Sequence, residues 1–276
     1  MSFDYHEPTS IREAVELGAR FGEESRFLAG GTDLMVQIHR GRCAPRHVVS
    51  LHRVAGLDAI DAGGAIAVGA LVTHRRLERA PAFQGALRAL VESAEVVGGH
   101  QIRNVATVGG NVANASPAAD VVPVLLTLGA TVTCLGPDGE RTLPLEGFAS
   151  GPGVTARRSD ELLTRVTFRH LPERSATAFL KAGRRRAMEI SLVCVAARVT
   201  LDPSLERCED VRIALGAVAP TTIRARAAER SLEGHLDGEG RRAQRAGVGC
   251  RAADLLAQHP TRSSNAAELA RPDRIH

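Results

Sequence analysis

Two short segments pair adjacent glycines with neutral donors where the chain turns toward a helix. The first, Ala29-Gly30-Gly31-Thr32-Asp33, follows a strand-like run and precedes a helix-length one. Backbone N–H groups, a hydroxyl and the positive end of a helix dipole would converge there, which is the makeup of an anion site. The same turn could equally be purely structural. The second segment places Gly109 and Gly110 among Thr107, Asn111, Asn114 and Ser116, and ends at Asp120. Two such turns suit a diphosphate held between them. Asp120, just before an apolar helical run, could accept hydrogen bonds from ribose or ribityl hydroxyls, or cap the helix. No lysine follows either glycine pair, and neither reads G-x-G-x-x-G, so these are not nucleoside-triphosphate or Rossmann loops. Phosphate held by neutral donors points to a tightly bound dinucleotide rather than to phosphoryl transfer.

Of the 35 basic residues, Lys181 is the only lysine. A compact ammonium differs chemically from an arginine fork. Lys181 is either a functionally placed cation or a solvated residue on a strand. His100 reads as a loop histidine with satisfied hydrogen bonds. Arg184 to Arg186 read as a solvated or subunit-facing patch.

The elements that must position these residues follow from patterning. Ser10 and Glu13 form a capping box ahead of a helix that ends near Gly22. Strands are expected at 26–29 and 47–51, with a short helix at 34–40 between them. Residues 66–74 read as strand and turn. A helix beginning at Pro81 presents Phe83, Leu87, Leu90 and Val91 on one face. His100 to Pro117 has little periodicity and is expected to be a long ordered loop. A buried helix at 120–128 and a hairpin over 130–143 come next. Strands at 162–168, 177–182, 190–201 and 211–218 are expected to form an antiparallel α+β unit, closed by a helix at 225–232.

Composition narrows the possibilities further. The chain has 276 residues, a net charge of +4, only 3% aromatic residues and no tryptophan. Its basic residues are spread along the chain, which argues against a nucleic-acid groove. The longest strongly apolar stretch, 121–135, is too short and too interrupted to span a bilayer. The start is acidic and polar, unlike an export signal. The five cysteines, at 43, 134, 194, 208 and 250, match no metal or iron-sulfur spacing. They read as reduced thiols, and the chain is expected to be cytoplasmic.

FLAGGTDLMVQIHRG (27–41) and QIRNVATVGGNVANASPAADVVPVLLTLGA (101–130) resemble the two FAD-pyrophosphate motifs of the medium, flavin-binding subunit of molybdenum hydroxylases. That family includes xanthine dehydrogenase and carbon monoxide dehydrogenase. The likeness continues through AFLKAGRRRAMEISLVCVAARV (178–199) and LGAVAPTTIRA (215–225). It implies an α+β fold with a two-subdomain FAD-binding unit of the PCMH type, residues 1–56 and 57–170, and a C-terminal α+β domain with an antiparallel sheet, residues 171–276. The part after about residue 236 is atypical of the family.

The resemblance further implies that Ala29, Gly30, Gly31, Thr32 and Asp33 form one pyrophosphate loop. Thr107, Gly109, Gly110, Asn111 and Asp120 form the other, Leu163 lies against the flavin or adenine, and Lys181 approaches the isoalloxazine. The implied function is an FAD-carrying electron-transfer subunit. A small partner subunit would carry two 2Fe-2S clusters and a large one molybdenum-pterin, in a heterotrimer or its dimer. The alternatives are a free-standing FAD oxidase and a degenerate scaffold subunit. Two family positions differ here: His39-Arg40 replace the usual lysine after the first loop, and Glu189 replaces an aspartate.

Overall fold

The computed structural model describes residues 2–185 and 188–235. The first unit comprises β1 (Asp4–His6), α1 (Ile11–Phe21), β2 (Ser25–Leu28), α2 (Leu34–His39) and β3 (His47–Ser50). Ser10 caps α1 by accepting from the Glu13 N–H at 3.1 Å, while the Glu13 carboxylate accepts from the Thr9 N–H at 2.8 Å. The reciprocal half of the capping box thus closes one residue early. The strands lie parallel in the order β1-β3-β2. Ala14 and Val15 of α1 are buried with Val49, Leu51 and Val54.

The second unit contains β4 (Ile60–Asp61), β5 (Ile66–Gly69), α3 (His74–Arg79), α4 (Arg88–Glu95), α5 (His100–Val105), α6 (Val108–Ala113) and α7 (Val121–Thr127). It continues with β6 (Thr131–Gly136), β7 (Gly139–Pro144), a small hairpin of β8 (Ala149–Gly151) and β9 (Val154–Thr155), and β10 (Leu162–Phe168). Its antiparallel sheet runs β4-β5-β10-β6-β7. Strand 162–168 therefore completes this sheet and does not belong with the strands that follow it. Two further expectations change. The helix expected from Pro81 is two 3-10 turns, Pro81–Phe83 and Gly85–Leu87, before α4. The expected loop at 100–117 contains α5 and α6, each only six residues long, too short to carry a helical period.

The third unit is an antiparallel sheet of β11 (Ser175–Ala182), β12 (Val193–Leu201), β13 (Cys208–Gly216) and β14 (Ile223–Arg224), in that order, with α8 (Arg226–Leu232) against it. Helices α4 and α7 pack on its strands β11 to β13. One apolar core consequently runs from Val68, Phe83, Leu90, Val124 and Val166 into Phe179, Ala196 and Ala214. Residues beyond 235, including the atypical end, lie outside the described residues.

Candidate cofactor site

β2 delivers the chain into the first turn, and α2 carries it away. Gly31 has φ +73°, a conformation that a side chain disfavours. The backbone N–H groups of Gly30, Gly31, Thr32 and Asp33 have no acceptor among the described residues. Asp33 precedes α2 without a side-chain capping bond. The turn therefore presents a run of open donors ahead of a helix, as its sequence suggests.

The second turn is built differently from the sequence expectation. Thr107 caps α6, its hydroxyl accepting from the Gly110 N–H at 3.0 Å. The Val108 N–H donates to the Val72 carbonyl and the Gly109 N–H to the Ala70 carbonyl, both at 2.9 Å. The N–H groups at this helix start are thus committed within the protein. What stays uncommitted is chemically distinct: the buried Thr107 hydroxyl keeps a hydrogen to donate, and Asn111 has a buried Oδ1 without a partner among the described residues. A buried amide atom left unpaired is costly, and a ligand hydroxyl or phosphate oxygen would relieve it, depending on which way the amide is turned.

The glycines have a packing role that needs no ligand. A β-carbon on Gly109 would lie 2.7 Å from the Ala70 carbonyl oxygen. One on Gly30 would fall within the Val105 carbonyl group and 2.9 Å from the Ala106 Cα. Gly30 thereby packs the first turn directly on the backbone that leads into the second. Gln37 on α2 adds a bridge, its Nε2 donating to Asn114 Oδ1 at 3.1 Å. The two turns form one continuous site.

Asp120 makes no capping bond to α7. Its Oδ2 accepts from Lys181 Nζ at 2.8 Å and its Oδ1 from the Ser191 hydroxyl at 2.6 Å. Burial pushes its carboxyl above the ordinary range, against the hydrogen bonds from Lys181 and Ser191. Lys181 donates its other two protons to the carbonyls of Val96, at 3.1 Å, and Glu189, at 3.0 Å. With side chains only 11% and 8% exposed, Lys181 and Asp120 are a buried ion pair, which excludes the solvated-strand reading of the lysine. The pair ties β11 of the third unit to the second turn.

The other candidates separate from this cluster. Leu163 is 5% exposed and joins the main core from β10. Ser116 accepts locally from the Ala118 N–H at 3.3 Å. His100 begins α5 rather than lying in a loop, and its Nδ1 meets the Arg103 guanidinium at 3.2 Å. Arg184 and Arg185 are exposed, while Arg186 lies outside the described residues. The Glu189 carboxylate turns back to the Arg185 N–H at 2.6 Å. Burial raises the Cys134 thiol to about 11 and the Cys194 thiol to about 12, so both are protonated and inert. Ser191 and Gln37 are site residues that the sequence does not single out: both lie within the family-like segments, but outside the glycine turns themselves. Among the described residues no group of three or more His, Cys, Asp or Glu could hold a metal ion, and no helix is long and apolar enough to cross a membrane.

Open N–H donors, the Thr107 hydroxyl, an unpaired amide and a buried carboxylate along one seam define a site for a phosphorylated, hydroxyl-rich cofactor, and FAD fits that donor set. Residues 1–171 match the family of FAD-binding domains in molybdopterin dehydrogenases, and 178–240 match the C-terminal domain of carbon monoxide dehydrogenase flavoproteins. The chain belongs to this family of oxidoreductase subunits, whose cofactor is FAD. It is 35% identical over 232 residues to the xanthine dehydrogenase FAD-binding subunit of Escherichia coli O157:H7, covering 83% of this chain and 78% of that one. It is 30% identical over 223 residues to the carbon monoxide dehydrogenase medium chain of Hydrogenophaga pseudoflava, covering 80% and 77%. The solved structure of carbon monoxide dehydrogenase from Hydrogenophaga pseudoflava, lacking the Mo-pyranopterin moiety, superposes with a TM-score of 0.83 at 28% identity, covering 98% and 92%.

Proposed function

We propose that this chain is the FAD-carrying electron-transfer subunit of a three-subunit molybdenum hydroxylase in the cytoplasm. It takes electrons from 2Fe-2S clusters in a small partner subunit and passes them to an external acceptor, while a large molybdenum-pterin subunit oxidises the substrate. The observation that carries the reading is the seam between the two turns, where Gly30, the first of the open donors of Gly30 to Asp33, packs on Val105 and Ala106. Bound FAD supplies both one- and two-electron chemistry, which an outlet from single-electron clusters needs.

In this reading the N–H groups of Gly30, Gly31, Thr32 and Asp33 hold the pyrophosphate, and Ala29 brings the strand to it. Thr107 donates its hydroxyl from the second turn and Asn111 its amide, while Gly109 and Gly110 keep the turn thin. Asp120 accepts from a ribityl or ribose hydroxyl, and Lys181 and Ser191 fix its carboxylate in one orientation. Lys181 acts on the flavin largely through Asp120, because its three protons already have acceptors. Leu163 supports the ring system from the core side. The substrate is selected at the molybdenum site of another chain.

Purification of the chain as expressed tests this. It should be yellow, release one noncovalent FAD per chain on denaturation, and turn over no hydroxylase substrate until the two partner subunits are added. A colourless chain that cannot be reconstituted with FAD would leave the scaffold reading. Bleaching of the flavin by a substrate in the isolated chain would establish a free-standing oxidase.

A further inference from the structure

Three of the five buried polar atoms without a hydrogen-bond partner among the described residues cluster beneath the second turn: His74 Nδ1, Glu78 Oε2 and Arg103 Nε. His74 and Glu78 are one turn apart on α3, and Arg103 faces them from α5. His74 and Glu78 lie outside the glycine motifs, and Arg103 lies in the lead-in to the second, ahead of its glycine turn. We propose that Arg103 and Glu78 are positioning residues of the cofactor site, locking α5 so that the Val105–Ala106 backbone stands at a fixed spacing from the Gly30 turn. The proposal rests on the FAD reading above.

Arg103 is 7% exposed. Its guanidinium donates to the carbonyls of Val97, at 3.3 Å, and Gly98, at 3.5 Å, and meets His100 Nδ1 at 3.2 Å. Arg103 Nε stands 3.4 Å from Glu78 Oε2, and Glu78 Oε1 accepts from Arg75 at 2.5 Å. The Val96 carbonyl, one residue earlier, is held by Lys181. Three consecutive carbonyls at the end of α4 are therefore bound by two buried cations, each with its own carboxylate, Asp120 for Lys181 and Glu78 for Arg103. A helix C-terminus carries negative partial charge and favours this arrangement.

The mechanical link to the site is short. Arg103 lies two residues before Val105, and the Ala106 N–H closes α5 on the Ile102 carbonyl at 2.7 Å. From α3, the His74 N–H holds the Ala106 carbonyl at 3.0 Å. Any slip of α5 along α3 therefore moves the surface on which Gly30 packs, and with it the first turn's donors. Because packed backbone has little slack, that slip cannot be absorbed locally. The imidazole of His74, whose pKa burial and Arg103 lower to about 4, adds no second charge to the cluster.

The test uses the full chain, stripped of flavin and reconstituted. Arg103→Lys keeps the charge but not the fork, and Glu78→Gln keeps the shape but not the charge. Each should weaken FAD binding about tenfold, the scale of one charge-assisted hydrogen bond, and shift the phosphorus resonances of bound FAD. Glu140→Gln, which breaks an exposed pair with Arg165, should change neither. Unchanged FAD affinity and phosphorus spectrum in both variants, with only a lower unfolding midpoint, would reduce the pair to a structural role and overturn the inference. If Arg103→Lys does not fold, Glu78→Gln decides alone. Failure of the wild-type chain to bind FAD would instead remove the reading on which the inference stands.

Discussion

The Cα of Gly30 rests on the Val105 carbonyl so closely that no β-carbon fits between them. The first glycine turn is thus shaped by contact with the second segment as much as by any phosphate. This contact converts two motifs 76 residues apart, as Gly30 and Ala106 are numbered, into one surface.

Gly30→Ala should separate the turns. The added methyl meets backbone, which cannot rotate away, so the chain should lose about 1–3 kcal/mol of stability and most of its flavin. At Gly110 the nearest atom to a β-carbon is Thr107 Oγ1, at 3.0 Å. Gly110→Ala should therefore fold nearly normally, while Gly110→Val, with its larger side chain toward the pyrophosphate, should fold but lose yellow colour. The ratio of flavin to protein absorbance and the urea midpoint report both effects. Full flavin content in Gly30→Ala would show that the spacing of the turns is irrelevant.

Lys181→Met leaves the Asp120 carboxylate buried with Ser191 as its remaining side-chain donor among the described residues. Removing one partner of a buried pair costs about 3–5 kcal/mol, and the carboxyl pKa should rise further above its ordinary value. The double variant Lys181→Met/Asp120→Asn removes the stranded charge and should recover much of that loss. A double variant less stable than Lys181→Met would mean that the charge pairing is not what the lysine contributes.

The buried His74 predicts an acid-side loss of stability. Its pKa is lowered by burial, and secondarily by Arg103, from 6.5 to about 4 in the folded chain. The unfolded state therefore binds the proton first. The stability linked to this group is complete above pH 6.5 and declines as pH falls toward 4. Between pH 7.5 and 5 the loss from this residue should be about 2 kcal/mol. Unfolding midpoints for wild type and His74→Asn at the two pH values check this, since the variant should lose the difference. Equal acid sensitivity in both proteins would assign it to other groups.

Much of the frame was legible because its signals are local. Ser10 and Glu13 announced α1, Gly136 to Gly139 announced the hairpin of β6 and β7, and alternating apolar residues announced β10 to β13. The misreadings have a common physical cause. α3, α5 and α6 are six residues each and are held by tertiary bonds, such as His74 N–H to Ala106, rather than by propensity. Strand β10 was grouped with the wrong sheet because its pairing partners, β5 and β6, are distant in sequence. At the site, the glycine pairs and Lys181 stood out by composition. Asp120 was legible beside them as a hydroxyl acceptor, but its pairing was not, because it meets Lys181 across 61 positions and Ser191 across 71.

The place of β10 between β5 and β6 also sets an order on biosynthesis. A ribosome makes the chain from its N-terminus, and domains generally fold in that direction. The strand pairing of the parallel sheet needs nothing beyond β3, although the first turn gains its packing partner only with Val105 and the core under α1 only with Leu162. The sheet beneath the second turn stays divided into β4-β5 and β6-β7 until residues 162–168 emerge, and Asp120 gains its counter-charge only when Lys181 follows. During that interval the nascent chain carries the paired parallel strands and two unjoined strand pairs. A site assembled from both ends of this interval is complete only after β11 has been made, and unpaired strand edges are where a partly made chain is prone to aggregate.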